Sequence, residues 1–314
     1  MNQQLTTEMR QIAKRLLSSH TVGTIIGWEK GSRWYLTPPA FITDENEIDR
    51  LYYDQFAVNN LAIYLLDSRH SDKKVAVFVK GCDSRGIIRL IQDHQLKKEQ
   101  LMVIGIPCAG MFDKTKVIDP KHPHELPLLN KCLECRYPNP VCADEVLGEV
   151  SVLPESSRPT GISARVATAH LVGTRSDQRF ERVEKLDLLP SEEKVTLWRA
   201  YAEKCLRCYA CRNICPACNC EECIFDSHKK PWTTKAALPF ANGFFAVTRA
   251  MHTAGRCTEC GECERVCPVG IPLMSLNQRL IKTINNSFGS YDAGLDLELP
   301  PPLSQFQLAE KTEV

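Results

Sequence analysis

No run of apolar residues in this 314-residue chain approaches the ~18 that a membrane-spanning helix needs. Neither sign of charge dominates: 39 Lys and Arg against 38 Asp and Glu leave a formal charge of +1, which gives no argument for a nucleic-acid partner or a strongly acidic one. The opening residues Met1 to Arg10 hold no apolar signal core, and Met9 to Leu17 is broken by Arg10, Lys14 and Arg15. A cytoplasmic protein is the expectation, with export by a twin-arginine route or as the passenger of a signal-bearing partner as the alternative. No G-x-G-x-x-G stretch occurs, so no dinucleotide signal supports flavin or nicotinamide. No Ser/His/Asp arrangement, phosphate loop or paired carboxylates compete for a catalytic role.

Cysteine, by contrast, is abundant: the chain has 16. In a short secreted protein that number reads as a disulfide framework; in a cytoplasmic chain it reads as metal or redox chemistry. Eight of them form two runs, Cys205-Leu-Arg-Cys208-Tyr-Ala-Cys211-Arg-Asn-Ile-Cys215-Pro216 and Cys257-Thr-Glu-Cys260-Gly-Glu-Cys263-Glu-Arg-Val-Cys267-Pro268. Each is a C-x2-C-x2-C-x3-C-P sequence, the signature of a two-cluster ferredoxin in which the fourth Cys of each run serves the other cluster. The expected ligands of cluster one are Cys205, Cys208, Cys211 and Cys267; those of cluster two are Cys257, Cys260, Cys263 and Cys215. The x2 spacings wrap three corners of a cubane 4Fe-4S cluster, and the x3 step with its Pro throws the fourth thiolate to the neighbouring site. A pair of zinc sites is the competing reading, but zinc takes its ligands from two pairs with a longer gap between them.

The rest of the chain reads as two domains joined by a linker. Residues 1–150 are α/β. Met9 to Ser18 has helical spacing, Thr21 to Trp28 suits an early strand, and Trp34 to Leu36 before Pro38-Pro39 reads as a second. Asn59 to Leu66 is apolar and helical. Lys74 to Val79 is a buried strand, Gly81 to Ser84 a tight turn with Asp83 or Ser84 as cap, Arg85 to Gln95 a helix, and Leu101 to Ile106 the next strand. A strand, helix and strand in that order predict a parallel sheet. The turn-rich stretch from 150 to 180 marks the boundary, and residues 151–190 are the linker. Residues 191–285 form a mostly α-helical ferredoxin domain: a helix capped at Ser191 delivers Cys205, and the long insert from Pro216 to Arg256 has helical spacing from Phe245 to Met251. Residues 286–314 are an extended tail.

Cys82 and Cys108 stand in the turns at the ends of the two central strands, where ligands gather in open α/β sheets. With Cys132 and Cys135 they are the expected ligands of a third cubane cluster, with Cys142 in reserve; the competing reading is a set of ordinary buried thiols. Cys218, Cys220 and Cys223 either hold a further cluster or line cluster one. His252 either donates to a cluster sulfur or serves as a helix-end or core histidine, and the second role is preferred.

Gly81-Cys82-Asp83-Ser84-Arg85 with Ile104-Gly-Ile-Pro-Cys108 resembles the beta-subunit domain of the deazaflavin-coenzyme hydrogenases and formate dehydrogenases. Arg249-Ala-Met-His252-Thr-Ala-Gly-Arg256-Cys257, continuing to Cys267-Pro-Val-Gly-Ile-Pro272, is similar to the ferredoxin end of iron–sulfur beta subunits that accompany hydrogenases, anaerobic sulfite reductases and heterodisulfide-reductase-type complexes. Together these motifs cover roughly residues 75 to 275. The resemblance implies a flavin (FAD), a cubane cluster and a coenzyme site in the α/β domain. The sequence departs from it: the ferredoxin follows the α/β domain instead of preceding it, that domain is short, and the FAD has no supporting motif.

The function expected is an electron-transfer subunit of an anaerobic oxidoreductase complex of hydrogenase, formate dehydrogenase or heterodisulfide-reductase type. It relays single electrons between a catalytic subunit and another carrier. The alternative is a flavin- or deazaflavin-dependent enzyme subunit with its own substrate site in the α/β domain. A weaker third reading is a scaffold that holds clusters for stability.

Overall fold

In the computed structural model, the described residues are 2–68, 73–116, 126–148, 179–226, 233 and 236–304. The chain divides into two units, Met1–Asp177 and Gln178–Val314. The predicted linker lies largely outside the described residues.

The first unit is built on a five-stranded sheet in the order β2-β1-β3-β4-β5. Helix α1 (Asn2–Ser18) buries Leu5, Met9, Ile12, Ala13, Leu16 and Leu17, an apolar stripe at the three-to-four spacing of a helix packed on a core. Strand β1 (Thr24–Trp28) pairs in parallel with β3 (Val75–Val79). Strand β3 pairs in parallel with β4 (Leu101–Gly105), from Val75 opposite Leu101 to Val79 opposite Gly105. All five residues of β3 are buried, as expected of a parallel strand covered on both faces. The short β5 (Glu145–Val146) extends the parallel set beside β4.

The edge strand differs from expectation. It is β2 (Pro39–Ile42), antiparallel to β1, not Trp34 to Leu36. Bonds from Gly31 N to Leu36 O (2.8 Å) and from Leu36 N to Arg33 O (3.0 Å) close the earlier residues into a turn. Trp34 there packs edge-on against Phe56. Pro39 can open the strand because a sheet edge tolerates a missing donor. The apolar stretch after Asn59 is a 3-10 helix, Ala62–Ser68.

Helix α2 (Gly81–Gln92) starts four residues before the predicted one and absorbs the predicted turn. Asp83 is not the cap but the third helical residue. Its carboxylate reaches back to Lys80 N (2.7 Å) and across to Leu61 N (2.7 Å), satisfying amides that a helix start leaves open. Cys132 lies in a single-turn helix, α3 (Asn130–Leu133).

In the second unit the described secondary structure is helical throughout: α4 (Glu181–Asp187), α5 (Ser191–Lys204), α6 (Ala210–Asn213), α7 (Pro239–His252), α8 (Glu262–Arg265) and α9 (Leu273–Phe288). Pro190 takes the cap position of α5 and Ser191 is its first helical residue, with Glu192 and Glu193 in the first turn, where acids meet the positive end of the helix dipole. Helix α7 packs on α5 and α9, and α6 on α8. The residues after α9 are less extended than expected: Tyr291 and Ala293 are buried, and Asp292 pairs with Arg179 at 2.6 Å. Residues 305–314 of the predicted tail lie outside the described residues. Among the described residues no helix is long and apolar enough to cross a membrane.

Candidate metal centres

The two Cys runs of the second unit share one local backbone. Arg207 and Glu259, the residues before the second Cys of each run, both have positive φ (54° and 55°), as do the residues after it, Tyr209 (60°) and Gly261 (68°). Left-handed conformations are uncommon for residues other than Gly and are retained where surroundings enforce them. They curl each x2-x2 loop into a bowl before α6 and α8 begin. The amide of Arg207 donates to Cys205 Sγ (3.4 Å), and the amide of Glu259 donates to Cys257 in the same relation. Ile271 N donates to Cys267 Sγ (3.3 Å), and Asn277 Nδ2 donates to Cys257 Sγ (3.5 Å). Donors aimed at cysteine sulfur are the hydrogen bonds that tune iron–sulfur clusters.

The fourth Cys of each run lies beside thiols of the other run. Burial is the main cause that pushes the Cys211 thiol up, and Cys205, Cys267 and Cys208 add to it; Cys267 comes from the second run. Burial likewise pushes Cys257 well up, with Cys215, Cys263 and Cys260 as the interacting thiols, and Cys215 comes from the first run. Cys215, Cys257, Cys260 and Cys263 line one cavity together with Pro216, Ala217, Met274 and Asn277. Cys215 and Cys263 are buried, whereas Cys208 of the other set is exposed. A zinc site holds its thiolates about 2.3 Å from one point; among the described residues no three His, Cys, Asp or Glu converge to hold a single ion. All 16 cysteines are free of disulfides.

In the first unit, three separate segments carry the N-terminal set. Cys82 is in the first turn of α2, beyond the end of β3; Cys108 is in the loop after β4; Cys132 and Cys135 lie in and after α3. Burial raises Cys82 well above its ordinary value and Cys108 to about 12. Cys135 acts on both of these thiols, and Cys132 acts on Cys108 and Cys135. Gly110 N donates to Cys108 Sγ (3.4 Å) and Met111 N to Cys132 Sγ (3.3 Å). Cations surround the set and oppose the rise: Lys80 acts on Cys82 and Cys108, Lys131 on Cys82 and Cys135, and Arg85 on Cys135. Bare buried thiols keep their protons, and metal binding displaces them. Four thiols with converging amides and cations therefore suit an anionic iron–sulfur cluster.

Lys80 and its surroundings carry no sequence signature. Its side chain is 1% exposed, and its ammonium pairs with Asp83 at 3.1 Å, donates to Ala57 O (3.0 Å) and Asn59 O (3.1 Å), and lies 3.9 Å over the Trp28 ring. Arg249 and Asn277 were also missed; both lie near sulfur only because helices fold back onto the Cys loops. The remaining cysteines separate. Cys142 donates to Ser84 O (3.5 Å), and the charges acting on it are Asp144 and Lys98, not the N-terminal set. Cys218 donates its thiol proton toward Cys215, which lowers Cys215 and raises Cys218. Cys223 bonds to Arg212, and Cys220 is exposed. His252 is an exposed residue at the end of α7.

Residues 201–271 match the model of a 4Fe-4S dicluster domain. Along most of its length the chain is similar to the F420-dependent formate dehydrogenase subunit beta of Methanocaldococcus jannaschii, 25% identical over 352 aligned residues that cover 92% of this chain and 91% of the relative. The F420-dependent formate dehydrogenase 1 subunit beta of Methanococcus maripaludis is 24% identical over 360, with the same coverage. The likeness thus runs well beyond the two motifs, and the resemblance to the deazaflavin-coenzyme beta subunits holds over nearly the whole chain. The second unit carries an iron–sulfur dicluster domain, the equipment of an electron-transfer subunit.

Proposed function

We propose that this chain is the electron-relay subunit of an anaerobic, cytoplasmic formate dehydrogenase-type complex. In this reading it carries two 4Fe-4S clusters in the second unit and a third in the first. The observation that carries the reading is that Cys215 of the first run shares a cavity with Cys257, Cys260 and Cys263 of the second, while Cys267 of the second acts with Cys205 and Cys208 on Cys211 of the first. Cluster one is assigned to Cys205, Cys208, Cys211 and Cys267. Cluster two is assigned to Cys257, Cys260, Cys263 and Cys215, and the third to Cys82, Cys108, Cys132 and Cys135. Such clusters exchange single electrons at potentials set by hydrogen bonding and exposure. The amides of Arg207, Glu259, Ile271, Gly110 and Met111 supply the hydrogen bonds, and the exposed Cys208 gives cluster one an edge toward a partner.

The names of the two relatives favour formate dehydrogenase over the hydrogenase and heterodisulfide-reductase alternatives. Those names also support a second reading. The first unit would exchange a hydride with a deazaflavin, helped by a bound flavin, and pass the electrons on one at a time. Chain prepared anaerobically with its native neighbours tests both. The relay reading expects about twelve iron atoms per chain for three cubane clusters, and cluster signals that bleach when formate is added to the complex. Colourless, zinc-loaded protein would sink it. Flavin fluorescence released on denaturation would decide for the second reading.

A further inference from the structure

Arg249 has no role in the assignment above, yet it is the most unusual charge in the second unit. It lies in the last turn of α7, 4% exposed. Its guanidinium bonds to Cys215, and the other thiols acting on it are Cys263, Cys218 and Cys211. Cys211 is assigned to cluster one, and Cys215 and Cys263 to cluster two. Its Nε and Nη2 are buried without a hydrogen-bond partner among the described residues. An unsatisfied charged donor in the interior is costly, and a guanidinium has five donors and no way to shed its charge. A helix-end cation that served only the dipole of α7 would face the last carbonyls or solvent, not two sets of thiols.

We infer that Arg249 is a positioning residue shared by the two clusters of the dicluster domain, its spare donors directed at their sulfur and its charge favouring their reduced forms. Reduction adds one electron to a cluster already made negative by four thiolates. A cation held in a dry interior acts strongly on that extra charge, so it raises the reduction potential of each cluster it faces. Removing it lowers both potentials.

The inference rests on the two-cluster reading, so the iron content of wild-type protein is measured first: if iron is missing there, the functional reading fails and the role of Arg249 falls with it, whereas iron-replete protein tests Arg249 alone. Full-length Arg249→Gln and Arg249→Lys are then titrated with dithionite under anaerobic conditions and followed by EPR. In iron-replete R249Q, the ratio of reduced to oxidised cluster at the wild-type midpoint should fall about tenfold for both clusters, a shift of about 59 mV for one electron. R249K, which keeps the charge and loses the fork, should lie between. Unchanged midpoints, or movement of one cluster alone, would overturn the inference. If R249Q does not take up iron, wild type labelled with nitrogen-15 arginine decides. A nitrogen coupling to the reduced clusters that disappears in R249K supports the role; its absence in wild type, or its survival in R249K, refutes it.

Discussion

The C-terminal thiols are gathered by the backbone immediately around them, the N-terminal thiols by a sheet. In the second unit, two copies of one loop place three thiols each within seven residues, using the same left-handed residues at the same positions (Arg207 and Tyr209, Glu259 and Gly261). In the first unit, Cys82, Cys108 and the Cys132–Cys135 pair come from three segments. They meet because β3 and β4 are parallel neighbours and residues 137–139 lie against the start of α2. A local site depends on its own loop, whereas a dispersed one depends on the stability of its scaffold. The two should therefore fail differently.

The largest effects come from the ligands. Cys263→Ser and Cys215→Ser should each remove cluster two, about four iron atoms per chain, slow electron relay more than tenfold and leave the N-terminal signal intact. Cys132→Ser and Cys135→Ser should do the reverse. Iron analysis with EPR checks both pairs, and full iron in Cys215→Ser would break the crossover.

Lys80→Met comes next. It leaves Asp83 buried without its cation, which costs about 3–5 kcal/mol when a buried pair is broken. Thermal unfolding should show the loss in the first unit, and iron should leave the N-terminal site while the dicluster signals persist. Equal loss at both sites would erase the distinction between local and dispersed sites.

Gly81→Ala should act through the same scaffold but less strongly. A Cβ there would stand 1.9 Å from Tyr137 O and 2.6 Å from Asn139 O, so the loop that follows Cys135 must shift. Overpacking of this kind costs about 1–3 kcal/mol. N-terminal iron measured against protein stability would show whether the loop or the whole unit gives way.

Asp54→Asn sharpens the comparison from the stabilising side. Burial raises the Asp54 carboxyl above its usual 3.8 despite bonds from Thr37, Phe56 and Tyr52. Its contribution to stability is therefore fully present below about pH 3.8 and is lost as pH rises through the higher folded value. Asparagine keeps the Oδ1 that accepts from Thr37 (2.7 Å) and Phe56 N (2.8 Å). The variant should flatten that pH dependence and be more stable than the wild type near neutrality, measured by denaturant unfolding from pH 3 to 7.

Much of this was legible from residues alone, but unevenly. The βαβ core was readable because a run such as Val75 to Val79 is both β-branched and wholly apolar, yet α2 was placed late because the reach of Asp83 back to Lys80 N is a contact, not a propensity. Trp34 to Leu36 reads as strand until Gly31 closes a turn around it. Ser191 reads as a cap, but Pro190 takes that position. Cys142 follows Cys135 closely enough in sequence to serve as a ligand, but its bond to Ser84 O and the charges of Asp144 and Lys98 around it set it apart from the other four thiols.

The spacing of the two Cys runs was enough to determine the iron–sulfur character of the second unit, because x2 and x3 steps dictate a loop too short to do much else. Which charges and amide donors stand beside the sulfur was decided only in three dimensions. Arg249 and Asn277 come from α7 and α9, and Lys80 reaches its place through Trp28, Ala57 and Asn59. Loop shape is set by neighbouring residues, but electrostatic surroundings sum over whatever the fold brings near, and no local pattern records that sum.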